Sequence, residues 1–401
     1  MLKKLKSSLV FICLISLLTG CVNQNQEVTS DQEITVAATS IAVTEILDQL
    51  NIPAKQVVGI PQSDSYTVPK KYQKAINKNI IFGGVKMIKV LANDGLQKEA
   101  IDKLTSMGFE VVNFHYDKDE LGNILRKFDA LIIRSATKVT SDVIDIEAGG
   151  KLKLIIRAGV GIDNIDVKYA NEKGIIVKNT PNASSDSVAE LAIAHMFAVA
   201  RFLGASNYTM RIGEWNKKKY EGIELSGKIL GIIGMGRIGR ALATKATALG
   251  MKVVYNDIFG KQNNIPYEFL EFDDLLSKSD FISLHVPYDK NKGPVIGKDE
   301  IEKMKDGAYL INCARGKVVD EIELLNALNT GKIAGAGIDV FEEEPTKNNE
   351  LINHPNVSVT PHIGASTKEA QKRIGEEVIT TIINYFSSDI SSINAKTIES
   401  I

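Results

Sequence analysis

Residues 228–257 read KILGIIGMGRIGRALATKATALGMKVVYND. An apolar strand runs straight into Gly234-Met235-Gly236-Arg237-Ile238-Gly239. Ile238, Leu242, Ala246 and Leu249 then recur at helical spacing, which predicts a helix with one apolar face. A second strand, KVVYN, ends at Asp257, 18 residues past Gly239. A lone G-x-G-x-x-G says little. Between a strand and a helix, with an acid at that distance, it is a dinucleotide-binding turn. Gly234 permits the tight turn, Gly236 lets a pyrophosphate approach the backbone, and Gly239 lets the helix pack on the strand. Arg237 and Ile238 open a helix whose N-terminus faces the phosphates. Asp257 suits the ribose hydroxyls and repels a 2′-phosphate, which favours NAD over NADP.

Outward from this turn the pattern repeats. MIKVLAN (87–93), FEVVNFH (109–115) and DALIIRS (129–135) read as strands, as do KLKLIIRAG and GIIVKNT. LQKEAIDKLTSMG (96–108) reads as an amphipathic helix stopped by Gly108. VAELAIAHMFAVARFLG (188–204) reads as one long apolar helix, with His195 a core residue. Short β-branched runs alternating with helices predict an α/β fold with parallel sheets covered on both faces. At 401 residues the chain exceeds one core. Its 48 basic and 49 acidic residues give no bias toward nucleic acid. The cysteines are Cys13, Cys21 and Cys313, so neither a disulfide framework nor a cysteine metal site is expected in the body.

Three further stretches carry chemistry: NCARGKVVDE, GAGIDVFEEEP and TPHIGAST. Arg315 follows the strand AYLINCA, at the carboxyl edge where such sheets bind ligands. Its planar fork suits a bidentate grip on a carboxylate. Glu344 precedes Pro345 and His362 follows Pro361, each on a loop after a strand. A carboxylate beside an imidazole orients it and favours its charged form, which makes a proton-transfer pair.

With RSATKVT, RAGVGIDN, NTPN, GMGRIGR, NCARG, DVFEEEP and PHIGAST in order, residues 87–386 resemble the D-isomer-specific 2-hydroxyacid dehydrogenases. The resemblance implies a Rossmann NAD-binding domain, 184–365, inserted in a flavodoxin-like substrate domain, 87–183 plus 366–386, with a tail at 387–401. It implies Arg315, Glu344 and His362 as the active-site trio. It implies cofactor contacts at Val160, Arg237, Ile238, Asp257, Val286, Cys313, Asp339, Gly364 and Ala365, beside Gly234, Gly236 and Gly239. It implies substrate contacts from Arg134, Ser135 and Arg157. An arginine pair suits a phosphorylated 2-hydroxy acid, so the expected reaction is NAD-dependent oxidation of 3-phospho-D-glycerate to 3-phosphohydroxypyruvate, the first step toward L-serine. A glyoxylate or D-lactate enzyme is the alternative within the family. A homodimer is implied through the cofactor domain. Two departures stand out: Lys317 where the family has a second glycine after the arginine, and GPVIG (293–297) in place of a Thr-x-Gly stretch. No regulatory serine-binding domain is expected after the body.

The front end reads differently. Lys3, Lys4 and Lys6 precede an apolar run from Ser8 to Leu18, which ends in Leu18-Thr19-Gly20-Cys21. Residues 1–21 resemble a bacterial lipoprotein signal, with Cys21 the lipidation site and membrane anchor. Residues 22–86 read as a polar tether and a truncated, partly ordered fragment resembling iron- or heme-binding lipoproteins. FGGVKM (82–87) then looks like a second start, joined in frame to an earlier gene. The body is expected in the cytoplasm, where NAD is supplied; the signal points to the membrane. The rival of another class is an exported iron- or heme-binding lipoprotein carrying a passenger domain.

Overall fold

The computed structural model describes residues 88–398, with side chains through Phe386, and the backbone of two short strands nearer the N-terminus. The chain divides into two units, Met1–Val85 and Lys86–Ile401. In the first, Val36–Ala37 pairs in parallel with Val57–Val58. The expected lipoprotein signal with Cys21, the polar tether and the second start at Met87 lie outside the described residues.

The second unit holds two parallel sheets. The first is built from β1 (Lys89–Ala92), β2 (Glu110–Asn113), β3 (Ala130–Ile133), β4 (Leu154–Arg157) and β5 (Ile176–Asn179), in spatial order β2-β1-β3-β4-β5. The central strand β3, ALII, is buried at all four positions, so its apolar run is continuous and does not alternate. Successive residues serve opposite faces. Val90 and Ile132 pack with Leu104 and with Ile374, Val378 and Ile382 of the last helix; Leu91, Leu131 and Ile133 pack with Leu121 and Val143 on the other side.

The second sheet comprises β6 (Ile229–Ile233), β7 (Lys252–Asn256), β8 (Glu268–Phe269), β9 (Phe281–Leu284), β10 (Ala308–Asn312), β11 (Ile333–Ile338) and β12 (Val357–Val359). Its spatial order is β8-β7-β6-β9-β10-β11-β12, all parallel. Counted from β6, the first six run 3-2-1-4-5-6, the doubly wound dinucleotide order; the first sheet runs 2-1-3-4-5, the flavodoxin-like order. The strand order reverses between β6 and β9, and in sheets of this order the ligand crevice lies there, at the carboxyl ends of the strands.

Three local readings change. The long helix spans Ser185–Ala200 and stops short of residue 204. The Ala200 carbonyl accepts from Ile223 N at 3.0 Å, and Phe202 takes a left-handed backbone, φ 53°. A separate helix, Leu203–Arg211, follows at 65° to the first. No single helix among the described residues is long and apolar enough to cross a membrane, although this bent pair passes by length and composition. Leu249 is the C-cap of the helix Arg237–Ala248 and is partly exposed, so Gly239, Leu242, Ala243 and Ala246 form the buried face. Residues 387–398, expected as a frayed tail, continue the last helix, Lys368–Ile398. SSDISSINAKTI contains neither glycine nor proline to stop it.

Candidate active site

Each glycine of the turn has a separate reason. Gly234 has φ 93°, and an added Cβ would lie 2.5 Å from His285 O and 2.8 Å from Val286 Cγ1. At Gly239 a Cβ would lie 2.3 Å from Gly234 O. At Gly236 a Cβ would meet nothing within 4 Å. No contact within the protein demands Gly236, and the open space over it is where a pyrophosphate would approach. Gly236 is also the N-cap of Arg237–Ala248 and brings no side chain to its first amides. Those N–H groups face the crevice with the helix dipole behind them. Asp257 closes the site: Oδ2 accepts from Met235 N at 2.8 Å and Oδ1 from Phe259 N at 3.0 Å. The carboxylate keeps lone pairs for a ribose diol. The residues present therefore fit a dinucleotide.

The carboxyl ends of β10, β11 and β12 bring the next group together. His362 Nδ1 lies 2.7 Å from Glu344 Oε2, and Glu344 Oε1 accepts from Phe341 N at 3.2 Å. A carboxylate only accepts, so Nδ1 carries the proton and Nε2 presents a lone pair. Burial pushes the Glu344 carboxyl up. The hydrogen bond and charge of His362, the Phe341 amide and Arg315 outweigh it and hold Glu344 below its ordinary range. His362 is one of two non-glycine residues with left-handed φ among those described, at 54°.

Arg315 reaches across from the second sheet's domain to the first. Its Nε donates to Asp163, and Nη1 donates to Ala314 O at 2.6 Å. Arg157, at the end of β4, is largely buried, and its Nε has no hydrogen-bond partner among the described residues. Burial, then the positive charges of Arg315 and Arg134, pull its guanidinium down to about 10, against Asp163 and Asp94. The Arg157 guanidinium thus feels two further positive charges, those of Arg315 and Arg134. Such a cluster lowers the energy of a bound anion. Two glycines make room for it: a Cβ at Gly159 would fall 1.4 Å from Arg157 Nη1, and one at Gly161 would fall 1.2 Å from Arg315 Nη2.

Comparison with known proteins decides the family. Residues 193–364 match the model of the D-isomer specific 2-hydroxyacid dehydrogenase NAD binding domain. The chain is 47% identical over 298 residues to a hydroxypyruvate reductase of Thermotoga maritima, covering 73% of this chain and 97% of that protein. The chain belongs to the D-isomer-specific 2-hydroxyacid dehydrogenase family. It is equally 47% identical, over 298 residues, to a D-3-phosphoglycerate dehydrogenase of Methanocaldococcus jannaschii, covering 72% of this chain but 56% of that longer protein. A D-lactate dehydrogenase of Aquifex aeolicus, solved with NAD and lactic acid, superposes with a TM-score of 0.67 at 31% identity, over 77% of this chain and 98% of that one. As a member of this family the chain is an NAD-dependent oxidoreductase acting on the CH–OH group of a small 2-hydroxy acid.

The remaining expected positions sit in different surroundings. Val286 follows β9 beside Gly234, and Ile238 lies in the first turn of the fingerprint helix. Val160 follows β4 in the first domain, its carbonyl accepting from Asn179 Nδ2 at 2.5 Å. Cys313 is buried after β10; burial, then the Asp339 carboxylate, push its thiol up, which keeps it inert. Asp339 is also buried, and its carboxylate already accepts from Thr360 Oγ1, Ile363 N and Gly364 N. The Ala365 carbonyl accepts from Gln371 Nε2. Ser135 is exposed beside Arg134. Lys317 is exposed, whereas a Cβ at Gly316 would fall 1.7 Å from Phe341 O. The first glycine is therefore obligatory and the second position free.

Sequence reasoning missed the residues that hold these groups. Asp94 Oδ2 accepts from Arg134 N at 2.7 Å and Thr137 N at 3.0 Å, and Asn164 Nδ2 donates to Arg134 O and Thr137 O. Together they fix the RSATKVT loop. Asp163 holds Arg315. Asp163 and Asn164 lie in RAGVGIDN, a stretch that carried the family resemblance without disclosing a partner for either.

Proposed function

We propose that this dehydrogenase oxidises 3-phospho-D-glycerate to 3-phosphohydroxypyruvate. The observation that supports the reading is the largely buried Arg157, whose Nε has no hydrogen-bond partner among the described residues and whose Nη1 lies against Gly159, two residues from the Gly161 that receives Arg315 Nη2. A single arginine suffices for a carboxylate; a substrate with a second, doubly charged anion uses more. In this reading Arg315 takes the carboxylate, and Arg134, Ser135 and Arg157 take the phosphate. His362 Nε2 accepts the hydroxyl proton. Glu344 keeps the other nitrogen protonated and compensates the imidazolium that forms. NAD, held by Gly234–Gly239, Asp257 and the neighbouring cleft residues, supplies the hydride acceptor when bound. Asp257 favours NAD over NADP by repelling a 2′-phosphate.

A second reading, hydroxypyruvate or glyoxylate reduction, is supported by the full-length match to the Thermotoga protein. The purified chain, assayed in both directions against 3-phosphoglycerate, hydroxypyruvate, glyoxylate and D-lactate, separates the two. The highest kcat/KM on the phosphorylated substrate is expected. A preference for hydroxypyruvate, with no loss on replacing Arg157 by Met, overturns the phosphate assignment.

Leu203, Tyr208, Met210, Ile212 and Trp215 are each exposed on or just after the helix Leu203–Arg211, a concentration of uncovered apolar side chains that supports a homodimer. Light scattering tests it. The body works where NAD is supplied, in the cytoplasm; fractionation with an antibody to the body tests this against anchoring through Cys21.

A further inference from the structure

His195 lies on Ser185–Ala200 and is 2% exposed. Both ring nitrogens are engaged: Nδ1 is 2.9 Å from Ser358 Oγ and Nε2 is 3.0 Å from Thr360 Oγ1. Thr360 Oγ1 also lies 2.6 Å from Asp339 Oδ1. A carboxylate only accepts, so the single Thr360 hydroxyl proton is spent there. Thr360 must then accept from His195 Nε2–H, and Nδ1 accepts from the Ser358 hydroxyl. The hydrogen bonds thus run in one direction, from Ser358 through His195 and Thr360 to Asp339.

The end of this chain lies at the catalytic loop. Asp339 Oδ1 accepts from Ile363 N at 2.8 Å and Oδ2 from Gly364 N at 2.9 Å, the two amides that follow His362. The Asp339 carbonyl accepts from His362 N at 2.8 Å. Two turns upstream on the same helix as His195, Ser187 Oγ donates to Gly364 O at 2.7 Å. One helix therefore grips both sides of the loop. The packing is close: a Cβ at Gly337, on β11, would lie 2.5 Å from His195 Cβ. His362 needs such support. A left-handed backbone at a non-glycine residue persists only where its surroundings impose it.

We propose that His195 is a positioning residue for the reaction, acting through Thr360 and Asp339 to hold the loop that carries His362. The inference rests on reading His362 as the proton acceptor. Burial outweighs the nearby Asp339 charge and holds the imidazole below its ordinary value, in keeping with the neutral tautomer that the geometry requires.

The test uses the full chain. His195→Leu removes both bonds at similar volume. It is expected to lower kcat about tenfold, the effect of losing the one bond, to Thr360, that leads on to the catalytic loop, with KM and NADH affinity within about twofold. His195→Gln restores an N–H toward Thr360 and should recover most of the loss. Thr360→Val should reproduce the Leu phenotype, and the double variant should be no worse than the worse single, because both cut the same chain. Additive losses, equal losses in Gln and Leu, or a parallel loss of NADH binding overturn the proposal. If His195→Leu does not fold, Ser358→Ala combined with Thr360→Val carries the same test of additivity. His362→Asn is measured alongside. Its inactivity with an unimpaired His195→Leu defeats this inference alone; its normal turnover defeats the proton-acceptor reading as well.

Discussion

Gly161→Ala isolates the arginine site from everything else in the molecule. Gly161 does not need a left-handed backbone, so alanine is conformationally allowed. The added methyl would lie 1.2 Å from Arg315 Nη2, 2.3 Å from Cζ and 2.8 Å from Asp163 Oδ2. An ordinary contact is about 3.5 Å, so the guanidinium must withdraw by about 2 Å. The obstacle is the far end of a flexible side chain, and the fold yields there and not in the backbone. A shift of that size breaks the ion pair to Asp163 and, on the proposed reading, the two-pronged hold on the substrate carboxylate. A hydrogen bond to a charged group is worth about 1.5–3 kcal/mol, so a loss near 3 kcal/mol is expected, about 100-fold in kcat/KM. Steady-state kinetics on the 2-hydroxy acid give that number. NADH titration by fluorescence and the melting temperature are the controls, and both should stay near wild type. A kcat/KM within about threefold of wild type refutes the reasoning, and so does a loss of NADH affinity to match.

Other outcomes follow from the same geometry. Asp257→Ala should narrow the preference for NADH over NADPH, since it removes both the ribose acceptor and the repulsion of a 2′-phosphate; equal binding of the two cofactors by the unmodified protein would defeat the assignment. His362→Asn should reduce kcat by about 10²–10⁴-fold and leave NADH affinity intact, because the imidazole acts only while the proton moves. Glu344→Gln should change acid stability. The Glu344 carboxyl is held below its ordinary range, so its contribution is fully present above the unfolded-state value, about 4.3, and is lost as pH falls through the lowered folded value. Urea midpoints measured between about pH 3 and 6 should therefore fall less steeply in the variant than in wild type; identical slopes would count against the pair.

Much of this protein is written in short windows. The turn Gly234–Gly239 declares itself because a strand, three spaced glycines, an amphipathic helix and an acid all lie within 30 residues. Each of those signals depends on backbone conformation within a turn or two. Buried parallel strands such as ALII are legible for the same reason: burial on both faces demands a continuous apolar run, whatever the neighbours are. The candidate trio stood out because Arg315, Glu344 and His362 each follow a strand of this sheet type. The cofactor, the fold class and the family were therefore open to the sequence alone.

What pairs with what was decided by the tertiary structure. Asp163 and Arg315 are 152 residues apart, and nothing local links them. Only the packed structure puts Arg315 Nη2 in the space that a side chain at Gly161 would take. His195 reads from sequence as one more residue of an apolar helix. Its direction of hydrogen bonding exists only because β12 delivers Ser358 and Thr360 to its two nitrogens. The break after Ala200 likewise depends on Ile223, which takes the carbonyl that would have continued the helix. Periodicity and turn chemistry are short-range and survive in the unfolded chain as preferences. A specific polar contact between distant segments has no short-range signature, and it appears only when packing has fixed the register of both partners.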